Sequence, residues 1–299
     1  MNVLLSGGTG FIGSALVPAL ETRGHHVTLL SRSASEPSTR AWNPVANQLE
    51  PAAVAGFEAV IHLAGESIFG LWTRARRRRI RESRVNGTQL LTSAILKLAP
   101  AERPRHFISA SAIGYYADGG NTLITEAEPH GHGWLAEACA EWETASAPLV
   151  HAGIRVVWMR IGVVLDPAGG ALKLMFLPFK LGVGATLGPG DQWFSWISRR
   201  DLVSSLVFAL DHDAITGPVN ATSPGPVTNR EFTKQLASAL HRPALLKIPA
   251  PILRLMPGQM AEQALLASAR VVPRKLTQAG FGFQDPSLNA FLTGISNSA

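Results

Sequence analysis

The feature that most restricts this chain lies at its start. Asn2-Val3-Leu4-Leu5-Ser6 is a short apolar run, followed at once by Gly7-Gly8-Thr9-Gly10-Phe11-Ile12-Gly13. Ser14 to Arg23 then carries apolar residues at helical spacing and stops at Gly24. A buried strand, a glycine turn and a helix form the opening unit of a doubly wound α/β sheet. Glycine at position 7 permits the tight turn, at 10 the approach of a pyrophosphate, and at 13 close packing of helix on strand. The first helical amides and the helix dipole then favour the phosphates. Gly7, Thr9, Gly10, Phe11, Ile12 and Gly13 are therefore candidate dinucleotide contacts.

The rest of the first half continues the alternation. HVTLLS (26–31), EAVIHL (58–63), RHFISA (105–110) and IRVVWMR (154–160) read as strands. A long arginine-rich helix runs to Lys97, and a second helix covers 134–151. Strands separated by helices give a parallel sheet. The expected fold is α/β: a Rossmann-type doubly wound sheet with a smaller C-terminal substrate lobe. Residues 1–165 form the nucleotide-binding domain, with part of 198–222 returning to it. The lobe spans 166–299. It begins with a glycine-rich apolar stretch, then strand-like 193–197 and helical 201–210, and becomes rich in proline from Pro218. It should lie over the carboxyl ends of the strands, where open α/β sheets bind ligands.

The second strand ends Leu30-Ser31-Arg32-Ser33. Sites for the unphosphorylated cofactor place a carboxylate there for the ribose 2′-hydroxyl. A guanidinium suits a 2′-phosphate instead. Ser31 and Arg32 thus favour NADP(H) over NAD(H). Leu63, Ala64 and Gly65, at the end of the third run, should line the cofactor crevice.

Composition narrows the class further. Of 299 residues, 46% are apolar and 16% charged, enough for a sizeable core. No apolar run is long enough to span a bilayer, and the N-terminus lacks a secretory pattern. Cys139 is the single cysteine, so no internal disulfide or cysteine metal cluster is expected. A cytoplasmic protein without membrane or metal partners is the expectation. The net charge of +6 is concentrated in Arg74, Arg76, Arg77, Arg78, Arg79, Arg81 and Arg84. A nucleic-acid patch is one reading. A solvated helix face beside a small anionic ligand is the preferred one, because consecutive arginines wrap around a helix and no stacking platform accompanies them.

These residues carry a resemblance. The glycine turn, His62-Leu63-Ala64-Gly65 and Ser109-Ala110-Ser111 resemble the extended short-chain dehydrogenase/reductase superfamily. Ser83-Arg84-Val85-Asn86-Gly87-Thr88, Asp191 to Ile197 and the tail from Pro251 to Pro286 resemble an atypical NAD(P)-dependent epimerase subgroup. That subgroup has a small C-terminal domain of unknown function, here 250–297. The resemblance implies hydride chemistry with a Ser, Tyr and Lys set. Ser111 matches the serine, and Ser109 and Arg160 fall among the implied cofactor contacts. Trp134 stands at the tyrosine position and Ala138 at the lysine position, and neither moves a proton. Arg84 stands where the superfamily has asparagine. Superfamily members pair through two long helices, and the arginine-rich stretch lies on one of them, which argues against that dimer and leaves the oligomeric state open.

Other groups must then supply the chemistry. Tyr115 and Tyr116 follow Ser111, and Glu66 follows the cofactor-facing strand end. Ser111, Tyr115 and Glu66 are the catalytic candidates, Glu66 as a partly desolvated carboxylate with a raised pKa. Glu66 reads equally as a partner of Arg84, and Tyr115 as a packing residue. Arg84, Trp134, Trp193 and Trp196 are candidates for a substrate wall, the tryptophans alternatively core aromatics. His62 reads as a packed strand histidine. Two functions fit: an NADP(H)-dependent oxidoreductase or epimerase acting on a small molecule, or a cofactor-sensing protein that has lost catalysis.

Overall fold

The computed structural model describes residues 1–33, 38–255 and 260–296. Its centre is a seven-stranded sheet in which every neighbouring pair is parallel. Five strands are β1 (Asn2–Ser6), β2 (His26–Ser31), β3 (Thr39–Ala41), β4 (Ala59–His62) and β5 (His106–Ala112). The order is Gly217–Ala221, Arg155–Ile161, β5, β4, β1, β2, β3. The order reverses at β1, so a crevice opens between the carboxyl ends of β1 and β4.

Helices cover both faces. Helix α1 (Gly13–Thr22), helix 199–211 and the tail residues Leu276 and Phe281 pack with Val3, Leu5, Ile61 and Ile108 on one face. Helix α2 (Arg74–Leu96) and the 147–151 helix pack with Leu4, Val60, Phe107 and Val156 on the other. Sandwiched strands bury both sides, which explains the unbroken apolar runs. A third core joins Leu165, Leu172, Trp196, Phe232, Leu288 and Leu292 in the smaller lobe.

Register sets the functional rows. Ser6 pairs with His62, and His62 with Ser109. Ser111 pairs with Arg160, and Arg160 with Asn220. Paired residues on parallel strands point to one face, so three polar side chains from adjacent strands are brought together.

Two sequence expectations change. The 134–151 helix is two helices, α3 (Trp134–Thr144) and Ala147–His151. Pro148 opens the second, where its missing amide costs nothing. The 193–197 strand is likewise split. Trp193–Phe194 pairs antiparallel with Val227–Thr228, while Trp196–Ser198 pairs parallel with the 163–165 strand. The chain changes sheets at Ser195, whose hydroxyl donates to the Ala269 carbonyl and accepts from the Val271 amide. Among the described residues no helix is long and apolar enough to cross a membrane.

Candidate functional site

The glycine turn has the shape a dinucleotide requires. Gly7 has φ +77°, and the Gly10 amide donates to its carbonyl at 3.0 Å. A β-carbon on Gly7 would sit 2.8 Å from the Ala64 nitrogen, so this turn lies directly against the Leu63–Ala64 backbone. A β-carbon on Gly13 would sit 2.2 Å from the Gly7 oxygen and 2.6 Å from Gly8 Cα. Gly13 therefore packs against the turn itself, a correction to the helix-on-strand role expected of it. The Thr9, Phe11 and Ile12 amides meet no backbone acceptor among the described residues and remain available to an anion. The Phe11 ring faces the other way. It rests on Gly169 and Gly170 beneath the Arg199 guanidinium, 4.6 Å from the ring centre. The turn and the smaller lobe are thereby joined.

At the end of β2 the Ser31 hydroxyl accepts from the Ser33 amide, and Arg32 is exposed. The loop 63–65 forms the facing wall of the crevice.

Glu66 is placed differently from the sequence expectation. Its carboxylate is partly exposed and lies 3.4 Å from Arg76 and 4.0 Å from Arg79. It is a paired surface group rather than a desolvated acid. Arg84 does not meet that carboxylate. It donates to the Glu66 and Ile80 carbonyls at 2.9 and 3.0 Å and lies between Gly65 and the Trp142 ring. Its Nη1 serves the protein's own backbone. The arginine-rich face is partly compensated, since Arg78 lies near Glu82 and Arg81 bonds Glu141.

A buried polar assembly lies at the end of β5. Ser111 is 2% exposed and donates to Glu143 Oε1 at 2.7 Å. Arg160 grips the same carboxylate with Nε and Nη2, both at 2.8 Å. Its Nη1 donates to the Tyr116 hydroxyl at 2.8 Å, and Tyr116 donates to Asn220 Oδ1 at 2.7 Å. The Asn220 and Lys275 amides both donate to Glu126 Oε1. Burial opposes the charge of Arg160, but the Glu143 carboxylate more than offsets it and keeps the guanidinium ionised. Burial pushes the Tyr116 phenol up to about 12. Arg160 is 3% exposed with its donors engaged, so its role as a cofactor contact is corrected to that of a buried tie.

Tyr115 covers this tie. The Arg160 guanidinium lies 3.5 Å from its ring centre. The ring also lines a cavity of about 280 Å³ with His130, Ala140, Glu143, Thr144, Ala147 and Trp158. Ser109 is fully enclosed and donates to the Ala110 carbonyl, so it offers no surface to a cofactor. His62 is also enclosed, hydrogen-bonded to Ser6 Oγ at 2.6 Å. Burial first, then the nearby Arg84, lowers its pKa to about 3.

The tryptophans divide. Trp196 is 0% exposed and donates to the Gly225 carbonyl in the lobe core, so it is a core aromatic and not a substrate wall. Trp193 donates to Asn121 and carries the Arg270 guanidinium on its ring, at the seam with the tail. Trp134 packs edge-on against Trp72. The next amide, of Leu135, donates to Gln263 from the tail at 2.9 Å. The start of α3, where the superfamily resemblance places its tyrosine, is thus covered by the C-terminal segment.

Sequence reasoning missed Glu143, Asn220, Glu126 and Gln263. Glu143 carried a signal: it falls on the buried stripe of α3 with Ala136 and Cys139, where an unpaired carboxylate is not tolerated. Met256, Pro257, Gly258 and Gln259, part of the tail resemblance, lie outside the described residues.

Residues 3–221 match the model of the NAD dependent epimerase/dehydratase family, and residues 248–295 match a domain of unknown function, DUF1731. An epimerase family protein of Mycobacterium tuberculosis is 39% identical over 292 residues, covering 97% of this chain and 96% of its own. A crystal structure of the human epimerase family protein SDR39U1 with NADPH superposes with TM-score 0.89 at 33% identity, covering all of both chains. A nucleoside-diphosphate sugar epimerase from Corynebacterium glutamicum superposes at 0.81 with 34% identity, covering 97% of this chain and 57% of that one.

Proposed function

The chain belongs to the NAD dependent epimerase/dehydratase family, and from that premise we propose that it is an NADP(H)-dependent oxidoreductase or epimerase acting on a small molecule. One observation carries the cofactor reading. The turn at Gly7 to Gly13 has no room for a β-carbon at either end and presents amides at the start of α1, in the crevice where the strand order reverses. That cradle fits a pyrophosphate. Arg32, exposed at the end of β2 where a carboxylate would select NAD(H), supports the 2′-phosphate. The solved human relative contains NADPH, consistent with the same choice.

The bound cofactor would supply or accept a hydride. The chain's own residues would orient the reacting oxygen and move a proton. We assign orientation to Ser111, whose hydroxyl would have to turn from Glu143 towards the substrate, and proton transfer to Tyr115, which lines a cavity together with Glu143. Glu143 and Arg160 act through them as positioning residues, holding Ser111 and the underside of the Tyr115 ring. Glu66, paired with two arginines, is set aside.

A second reading has its own observation. Trp134 and Ala138 stand where a Tyr and Lys would act, and the Ser111 hydroxyl is committed to Glu143. A protein that binds NADP(H) and signals its presence to a partner would need no more than this.

The test has two steps. Tryptophan fluorescence should report tighter binding of NADPH than NADH. Arg32→Ala should weaken NADPH roughly 10- to 100-fold, the value of a charge-assisted hydrogen bond, and leave NADH unchanged. Equal affinities in the wild type would remove the NADP(H) assignment. NADPH consumption with a panel of carbonyl compounds then decides catalysis. Turnover lost in Ser111→Ala supports the enzyme, and no turnover above that variant transfers the weight to the sensing reading.

A further inference from the structure

Helix 170–180 is apolar on two sides. Leu172 and Phe179 face the lobe core. Leu174 and Leu177 face solvent, and Leu181 continues their line at a spacing of four. A helix with a second apolar side calls for a second apolar phase to cover it. The exposed side is not isolated. Arg242 donates to the Lys180 carbonyl, and a β-carbon on Gly182 would lie 3.9 Å from Pro243. The 185–187 strand pairs with 246–248, and Gly188 approaches Ala250 to the same distance. Val183, Leu245, Leu246, Ile252 and Leu255 therefore extend the surface begun by the helix. Leu245 is 91% and Leu255 82% exposed. Together these segments hold eight of the fourteen large apolar side chains that are exposed among the described residues, a concentration that marks an interaction site.

The charge of the same segments has one sign. Residues 170–187 and 241–255 contain Lys173, Lys180, Arg242, Lys247 and Arg254, all exposed, and no aspartate or glutamate. Arg254 bonds Glu262 from the neighbouring turn.

We propose that this face docks on membrane surfaces containing anionic lipid. Protruding leucines would enter the boundary between headgroups and acyl chains, and the lysines and Arg242 would meet the lipid phosphates. The chemistry favours this occupant. A second copy of the same face would bring like charges together. A protein partner would be expected to find aromatic anchors, and lysine is depleted at such interfaces, whereas the exposed members here are aliphatic and flanked by three lysines. No spanning helix is needed for a protein that lies on the surface, so the absence of an apolar run of that length does not oppose it.

Vesicle flotation of the full chain tests this, with phosphatidylcholine alone or doped with phosphatidylglycerol. The wild type should float with the doped vesicles, remain below with the neutral ones, and detach as salt rises. Replacing Lys173, Lys180 and Lys247 by Gln should lower partitioning roughly a hundredfold, about fivefold for each charge. Leu177→Asp with Leu245→Asp should abolish it. Both substituted proteins must melt as the wild type does by circular dichroism, as expected for changes at exposed positions. Failure of the wild type to float with doped vesicles would overturn the proposal, as would flotation that neither set of substitutions alters. Concentration-dependent self-association abolished by the Leu→Asp pair, without flotation, would assign the face to a second copy and overturn it as well.

Discussion

His62 shows what burial does to one side chain at the edge of the crevice. Its Nδ1 bonds Ser6, its Nε2 has no partner among the described residues, and Arg84 lies near. The folded protein therefore keeps the ring neutral down to about pH 3, while in the unfolded chain it protonates near 6.5. Between those values the unfolded state binds more protons, so stability rises with pH across that window. The contribution is complete above 6.5 and declines as pH falls towards 3. From pH 6.5 to 4.5 the loss should be about 2–3 kcal/mol. Urea denaturation of wild type and His62→Gln at both pH values isolates it, because other carboxylates titrate alike in the two proteins. Matching acid slopes would show that His62 is not the group responsible.

At the scale of elements, the tie between α3 and the 155–161 strand is the strongest claim. Glu143 accepts from Ser111 and twice from Arg160. Glu143→Ala would leave a guanidinium buried without its carboxylate, a loss of about 3–5 kcal/mol in thermal or urea unfolding. Pairing Glu143→Leu with Arg160→Met should recover much of it, since no uncompensated charge remains. A small loss in the single variant would mean that water enters to solvate Arg160. The legibility of these elements in sequence follows from the same physics. The glycine turn and the strands were readable because they rest on local rules: apolar runs, a turn needing positive φ, and a helix start. Ser111 was found by resemblance, but its partner was not, because Glu143 lies thirty-two residues away and resembles the exposed Glu137 and half-buried Glu141 of the same helix. Trp196 was left open between substrate wall and core aromatic because a buried three-residue strand has too little pattern to show which side faces the core. Arg84 and Glu66 were correctly placed near one another, yet the bond runs to a carbonyl, which side-chain chemistry does not reveal.

At the scale of the molecule, two family matches divide the chain at residues 221 and 248, but the cores do not divide there. Leu276 and Phe281 complete the core between the sheet and helix 199–211. Leu288 and Leu292 complete the lobe core around Trp196. Val271 closes on Ile124 and Tyr116. Polar ties follow the same path: Asp201, whose carboxyl burial raises towards protonation, still accepts the Gln284 and Asp285 amides, and Arg200 bonds Asp285. Burying a large apolar side chain contributes about 1.5–3 kcal/mol, so these five residues together contribute roughly 8–15 kcal/mol. A whole domain is stable by about 5–15 kcal/mol. A chain ending at residue 248 should therefore lack a cooperative melting transition and fail to bind NADPH, although every residue of the glycine turn is retained. The measurement is a thermal melt with an NADPH titration of that truncated chain. A soluble, cooperatively melting fragment that still binds the cofactor would show that the tail is an appendage; the burial of its side chains in one sheet-face core and in the lobe core argues that it is part of the fold the cofactor crevice depends on.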